Sequence, residues 1–355
     1  MNAAIAIAGA LLVLLVCWDV FTGILVPGRS KRGIRFIPRY FHSTWAIWSA
    51  IGRRIRDEET RERLLGYYGP FAMVALIGFW AAGLIVGFGL IQAALTPGPW
   101  PMVFGESMYS AGSRMFTVAP GDWAKSETAT KILVVVGAGV GLGFFTIVIT
   151  YMPVLYQLFS RREAHVILLD ERAGELVTAA SLIQNHARRG GMDRLNSLLA
   201  DWEKWGAELL ESHISYPMLS YYRSPHSDQS WLTAIAVVMD TCALRLAGAG
   251  GIDEFQAEAT FSICLRTLRN IGEILRLDPD AARADRLTEE QCSALRDKLR
   301  EWELPDGGRD LWTRLSRTRD GYEPLLAAFA DYLVMELPEW IPASMIRTPL
   351  EAARS

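Results

Sequence analysis

The sequence predicts an all-α membrane protein, with three membrane-crossing helices followed by a polar, all-helical domain. Three observations carry that prediction. Hydrophobic residues make up 51 % of the 355 and charged residues 21 %, and the two populations separate, apolar runs lying before Arg161 and most of the charge after it. Stretches 3–27, 70–95 and 132–160 are almost wholly apolar, each long enough for the ~30 Å hydrocarbon core of a bilayer. Beyond Arg161 the apolar residues recur at helical spacing, without the strand–helix alternation of an α/β domain.

The first run reads as a retained anchor. A cleaved signal would carry basic residues before its apolar core, whereas here Arg29, Lys31, Arg32 and Arg35 follow it. Asp19, within this run, is expected to reach the interface or pair with a basic residue of the next loop. A voltage- or proton-sensing role has no second charge in the helix to support it.

Orientation follows from the loops. Between Gly28 and Tyr68 lie ten Arg or Lys residues, while 96–131 contains three, Arg114, Lys125 and Lys131. The positive-inside bias therefore places the first loop and everything after Arg161 in the cytoplasm, and the N-terminus outside. Within that loop Phe41, Trp45, Trp48, Ile51 and Ile55 recur at helical spacing beside Arg53, Arg54 and Arg56. Two readings stand: an interfacial helix facing anionic lipid head groups, or a short helix packed on the cytoplasmic domain. The expected organisation is an anchor at 1–28, a basic loop at 29–68, a two-span module at 69–160 and a helical domain at 161–355.

Between the second and third spans runs PGPWPMVFGESMYSAGSRMFTVAPGDW, residues 97–123. It is too short and polar to span, contains a short helix over 104–116, and continues as Thr117-Val118-Ala119-Pro120-Gly121-Asp122. Span, short helix, TVxxGD and span together resemble the pore module of potassium channels, whose usual signature reads TVGYGD or TLGYGD. The resemblance covers 70–159. It implies a re-entrant pore helix and filter loop, a bacterial inner-membrane location and passive conduction of monovalent ions, potassium foremost. It also implies four copies of the chain, since one loop cannot close a ring of carbonyls around an ion.

Two departures alter the filter. Ala119 stands where the family has glycine, and a left-handed conformation there costs ~1–2 kcal/mol. Pro120 fixes its own φ, offers no N–H and pushes Ala119 towards extended geometry. Both disfavour alternating carbonyls, and Ala-Pro-Gly-Asp also suits a type II turn. Arg114 is a third departure, where the family's pore helix usually carries a small or hydroxylated residue. Either Glu106 or Asp122 neutralises it, or the pore is altered, anion-tolerant or closed.

Lys131 opens a run ending in Gly137, Gly139, Gly141 and Gly143. A dinucleotide loop would need its third glycine at Leu142 and a soluble helix next, but apolar sequence continues to Leu158. In a membrane helix these glycines allow close packing and, in a pore-lining helix, bending.

In the last domain, helices are expected over 176–188, 192–213, 229–246, 252–275, 288–301, 308–316 and 323–337, with 165–170 either a short strand or the last turns of the third span. The stretch 211–231 gathers two His, three Tyr, two Pro and Trp231, and resembles a segment of predicted bacterial potassium channels with helical tails. It reads as a docking loop, with His213, His226 and Asp228 as a weaker metal alternative lacking ligand spacing. Cys17, Cys242, Cys264 and Cys292 are too scattered for a zinc or redox pair. The expectations are therefore no enzyme, no cofactor, no metal and no nucleic-acid partner, with lipids and further copies of the chain as neighbours. The alternative function is a membrane scaffold or signalling protein that keeps the pore fold without conducting.

Overall fold

The computed structural model describes residues 2–25, 36–118, 128–174, 176–224, 230–281 and 285–346. These are almost entirely helical, the one β feature among the described residues being an isolated bridge between Ala249 and Asp306. The chain divides into two compact units, Met1–Thr44 with Gly69–Gln157, and Trp45–Tyr68 with Leu158–Ser355.

Helix α1 (Asn2–Val20) runs into a π-helical turn, Phe21–Leu25, and is followed by α2 (Phe36–Gly52), α3 (Glu58–Leu95), α4 (Trp100–Met115) and α5 (Thr128–Ala173). Three of the described helices, Asn2–Ile24, Glu58–Leu95 and Thr128–Ala173, are long and apolar enough to cross a membrane. In the first unit α1 meets α3 through small residues: a Cβ on Gly9 would lie 2.6 Å from the Gly87 carbonyl oxygen, so the two backbones touch. Asp19 accepts from Trp80 Nε1 on α3 at 2.8 Å, and the basic residues 29–35 of the next loop lie outside the described residues. Large apolar side chains such as Leu14, Val74, Val135 and Ile149 stay exposed, as lipid-facing positions should.

Two helices overrun the apolar stretches that marked them. α3 starts at Glu58 instead of 70, with Pro70 inside it, because Asp57 caps it by accepting from the Thr60 amide at 2.9 Å. α5 continues to Ala173, with Pro153 inside it, so 165–170 is helix and not strand. Its end is held by Asn185 Nδ2, which donates to the Ala173 carbonyl at 2.7 Å.

The second unit adds α6 (Ala179–Ala187), α7 (Met192–Ser215), α8 (Trp231–Leu246), α9 (Glu254–Leu275), α10 (Glu289–Glu301), α11 (Leu311–Arg319), α12 (Glu323–Leu333) and α13 (Ala343–Ile346), with 3₁₀ turns at Pro217–Tyr221 and Pro279–Ala281. Caps set the boundaries: Thr178, Ser230 and Asp253 each accept from an amide three residues on, and Thr288 with Gln291 forms a capping box. α12 ends at Leu333, short of the expected 337, because Val334 turns left-handed at φ 56°. α11 begins at Leu311, later than expected, because Gly307 and Gly308 also hold positive φ.

α8 is buried without a break from Ala234 to Leu244, the mark of a core helix packed on every side. α7 and α9 interlock through Thr260 and Thr267, whose hydroxyls donate to Leu199 and Gly206 carbonyls at 2.9 Å. Trp45 settles the two readings of α2: its ring lies 4.8 Å from Tyr68 and 5.5 Å from Tyr221, and Nε1 donates to the Tyr332 carbonyl at 2.8 Å. That half of α2 packs on the helical unit, so the expected 29–68 loop is split, with Trp45–Tyr68 joining the second unit.

Candidate functional site

The segment between the second and third span-capable helices forms α4. It starts with Pro99 extended and Pro101 in its first turn, where a missing N–H costs nothing. One face is buried and small or polar, made by Val103, Ser107, Ser110, Ala111, Ser113, Arg114 and Met115. The opposite face leaves Met102, Glu106 and Tyr109 exposed. The sequence placed this helix over 104–116, and its early start comes from the proline-led first turn.

At its end α4 closes in a Schellman turn. The Thr117 amide donates to the Arg114 carbonyl at 3.1 Å and the Val118 amide to the Ser113 carbonyl at 2.8 Å. Thr117 occupies the left-handed position with φ 55°, where a β-branched residue is strained. Of the six proposed filter residues, Thr117 and Val118 are described and exposed; Ala119, Pro120, Gly121 and Asp122 lie outside the described residues.

Arg114 is 4 % exposed and donates from Nη1 to Ser110 Oγ, one turn back, at 3.0 Å. Glu106 sits two turns away on the exposed face, and Asp122, the other neutralising partner the sequence suggested, lies outside the described residues. Sitting in the last turn, the guanidinium sits at the negative end of the helix dipole.

The glycines of α5 divide into two pairs. A Cβ on Gly141 would lie 2.9 Å from Met115 Cα and 3.1 Å from its carbonyl oxygen, and one on Gly137 would lie 3.8 Å from Arg114 Nε. Gly139 and Gly143 have nothing within 4 Å. On the α3 side, Gly89 accommodates Met108 of α4. α4 is thus wedged between α3 and α5 by glycine contacts. A cavity of about 10 Å³, lined by Leu84, Phe88, Arg114, Gly137 and Gly141 among others, has room for about one water.

The second unit holds the buried charges that sequence reading missed. Arg286 donates to both carboxylate oxygens of Asp240 at 2.8 and 2.9 Å and to Glu323 at 2.6 and 3.1 Å. Tyr322 donates to Asp240 at 2.7 Å. Burial, opposed by Arg286, raises the Glu323 carboxyl above its usual range. No spacing in the sequence joins positions 46 and 37 residues apart. This network is structural, since its donors are consumed by its own acceptors. His213 is buried, with Nδ1–H donating to the Leu209 carbonyl at 2.9 Å, while His226 and Asp228 lie outside the described residues. Among the described residues no group of His, Cys, Asp or Glu is arranged to hold a metal.

No protein-family model matches the chain, and no solved structure matches it. Among curated proteins it is similar to the uncharacterized membrane protein YdjJ of Bacillus subtilis (strain 168), with 23 % identity over 207 residues. The match takes in 55 % of this chain and 57 % of the relative's length.

Proposed function

We propose that the chain is a multi-pass membrane protein forming a potassium-channel-like pore, with an external loop of altered TVAPGD sequence and a cytoplasmic helical unit that regulates it. The observation carrying this is α4, a short helix with a buried polar face, wedged between two span-capable helices and followed directly by Thr117-Val118. Irregular backbone at membrane depth is tolerated where it lines a water-filled path. Tyr109, Phe116 and Val118 are exposed on a single chain, which leaves apolar surface around the loop for neighbouring copies in a four-fold ring. The membrane assignment draws support from the three apolar helices and from the membrane-protein relative. The basic loop before α3 supports an inner-membrane topology with the N-terminus outside.

A specific observation favours a second reading, a non-conducting scaffold. Arg114 brings positive charge to the C-terminal turn that in a cation pore would favour a cation, and a four-fold ring would repeat it. Liposome flux decides between them. Native protein should pass monovalent cations, and an Ala119→Gly/Pro120→Tyr double variant should gain preference for K⁺ over Na⁺. No flux of K⁺, Na⁺ or Cl⁻ from either protein would leave the scaffold reading standing.

A further inference from the structure

The 3₁₀ turn Pro217–Tyr221 and the two residues after it bind the polar ends of two membrane helices. Arg162 of α5, 5 % exposed, donates to the Leu219 carbonyl at 2.9 Å and the Tyr222 carbonyl at 2.6 Å, and pairs with Glu163 at 2.9 Å. Phe159, one turn earlier on α5, lies 5.7 Å from the Tyr222 ring. These contacts fix the segment to α5. At its other end Arg223 pairs with Glu62 of α3 and also donates to the Leu333 and Val334 carbonyls, which close α12. The Tyr221 ring lies 5.4 Å from Tyr68 of α3, and its hydroxyl is 2.9 Å from that of Tyr332. One short element therefore joins α3, α5 and α12, and does so through two guanidiniums that are nearly buried. Buried charges held on fixed acceptors resist being pulled off them.

Each of the two membrane helices also carries a proline within five residues of the division between the compact units. That division falls between Tyr68 and Gly69 in α3 and between Gln157 and Leu158 in α5, and the prolines are Pro70 and Pro153. A proline donates no N–H to the carbonyl four residues back, so the helix is weakest to bending there.

We propose that 217–223 is a strap coupling the polar ends of α3 and α5 into one moving body, with bending taken up at Gly69-Pro70 and at Pro153. Movement of the helical unit is then delivered to both helices flanking α4 together. Its use in gating rests on the pore reading above; the coupling itself does not.

The test is amide hydrogen exchange on the full chain in lipid nanodiscs. In Arg223→Ala, exchange should rise about tenfold or more in 58–66, 217–223 and 331–336 together, with 199–206 and 260–268 unchanged and Arg223→Lys intermediate. A rise confined to 217–223 overturns the strap. If Arg223→Ala instead loosens the whole helical unit, Glu62→Gln, which keeps the side-chain volume, is judged by the same pattern. Liposome flux adds the gating arm. Where native protein conducts, Arg223→Ala should change the rate severalfold, and an unchanged rate with a loosened strap overturns the gating role. A native protein without flux counts against the pore reading, while exchange still decides the strap.

Discussion

His213 offers a direct measure of how dry the helical unit is. Its side chain is 1 % exposed, its Nδ1–H is held by the Leu209 carbonyl at 2.9 Å, and Nε2 has no hydrogen-bond partner among the described residues. Burial, reinforced by the nearby Arg162 charge, pushes its pKa down to about 3, against roughly 6.5 for an unfolded histidine. Between those values the unfolded chain binds a proton that the folded one refuses. Stability is therefore full above about pH 6.5 and lost as pH falls towards 3. At 1.36 kcal/mol per unit, the step from pH 6.5 to 5.0 costs about 2 kcal/mol, or about 4–8 °C in Tm for a unit of this size. The assay is thermal unfolding of the full chain in detergent at pH 5.0, 6.0 and 7.5, followed by tryptophan fluorescence from buried Trp202, Trp205 and Trp231. His213→Leu should lose about 1 kcal/mol at pH 7.5 with its hydrogen bond, yet flatten the pH slope. Because carboxylates titrate in both proteins, the difference between the slopes is the readout. Parallel curves would refute the reasoning.

Gly141→Ala should displace α4, because the new Cβ meets Met115 backbone atoms at 2.9 and 3.1 Å; the expected cost is about 1–3 kcal/mol, read as a lower melting temperature. Gly139→Ala, two residues away with nothing within 4 Å, should be neutral or stabilising by up to about 1 kcal/mol. Asp240→Ala strips Arg286 and Tyr322 of a fully buried acceptor and should cost about 3–5 kcal/mol in the same melt. An Asp240→Ala protein that melted with the wild type would mean that Glu323 and the Pro338 carbonyl satisfy the guanidinium.

What the sequence disclosed was what repeats locally. Apolar length gave α1, α3 and α5, and turn chemistry gave the breaks between α6 and α12, because span length and capping are decided within a few residues. The errors lie at ends set by tertiary contacts or by a cap the apolar pattern does not register. α3 begins at Glu58 through the Asp57 cap, and the end of α5 is held by Asn185 across 12 residues. The fate of Trp45 was undecidable, since an aromatic at helical spacing suits lipid head groups and a protein core equally; Tyr332, 287 residues on, decided it. At the candidate site the short helix was legible from its flanking spans. The burial of Arg114 against Ser110 was not, since an i, i+4 pair does not say which face of a helix turns inward. The strap was half visible, as an aromatic-rich docking loop, but its partners Glu62 and Arg162 lie 161 and 60 residues from the residues they bind.

The glycines of α5 bear on where that helix would bend. Glycine lowers helix stability by about 1 kcal/mol against alanine, so four within seven residues suggest a hinge on propensity alone. The packing of α4 works against bending there. Gly141 is closed against the Met115 backbone and Gly137 faces Arg114, so bending at 137–141 would have to open the contact that seats α4. Substituting the open pair, Gly139 and Gly143, would raise helix propensity without touching that contact. Pro153 is different in kind: its missing donor weakens the ladder whatever surrounds it. It also lies beyond the α4 contact, towards the end of α5 that Arg162 ties to the strap. A bend at Pro153 leaves the α4 seat intact while the end of α5 moves with the helical unit, whereas a bend at Gly141 must unseat α4 first. The hinge we propose is therefore the proline, and Gly137 and Gly141 serve to bring α4 close.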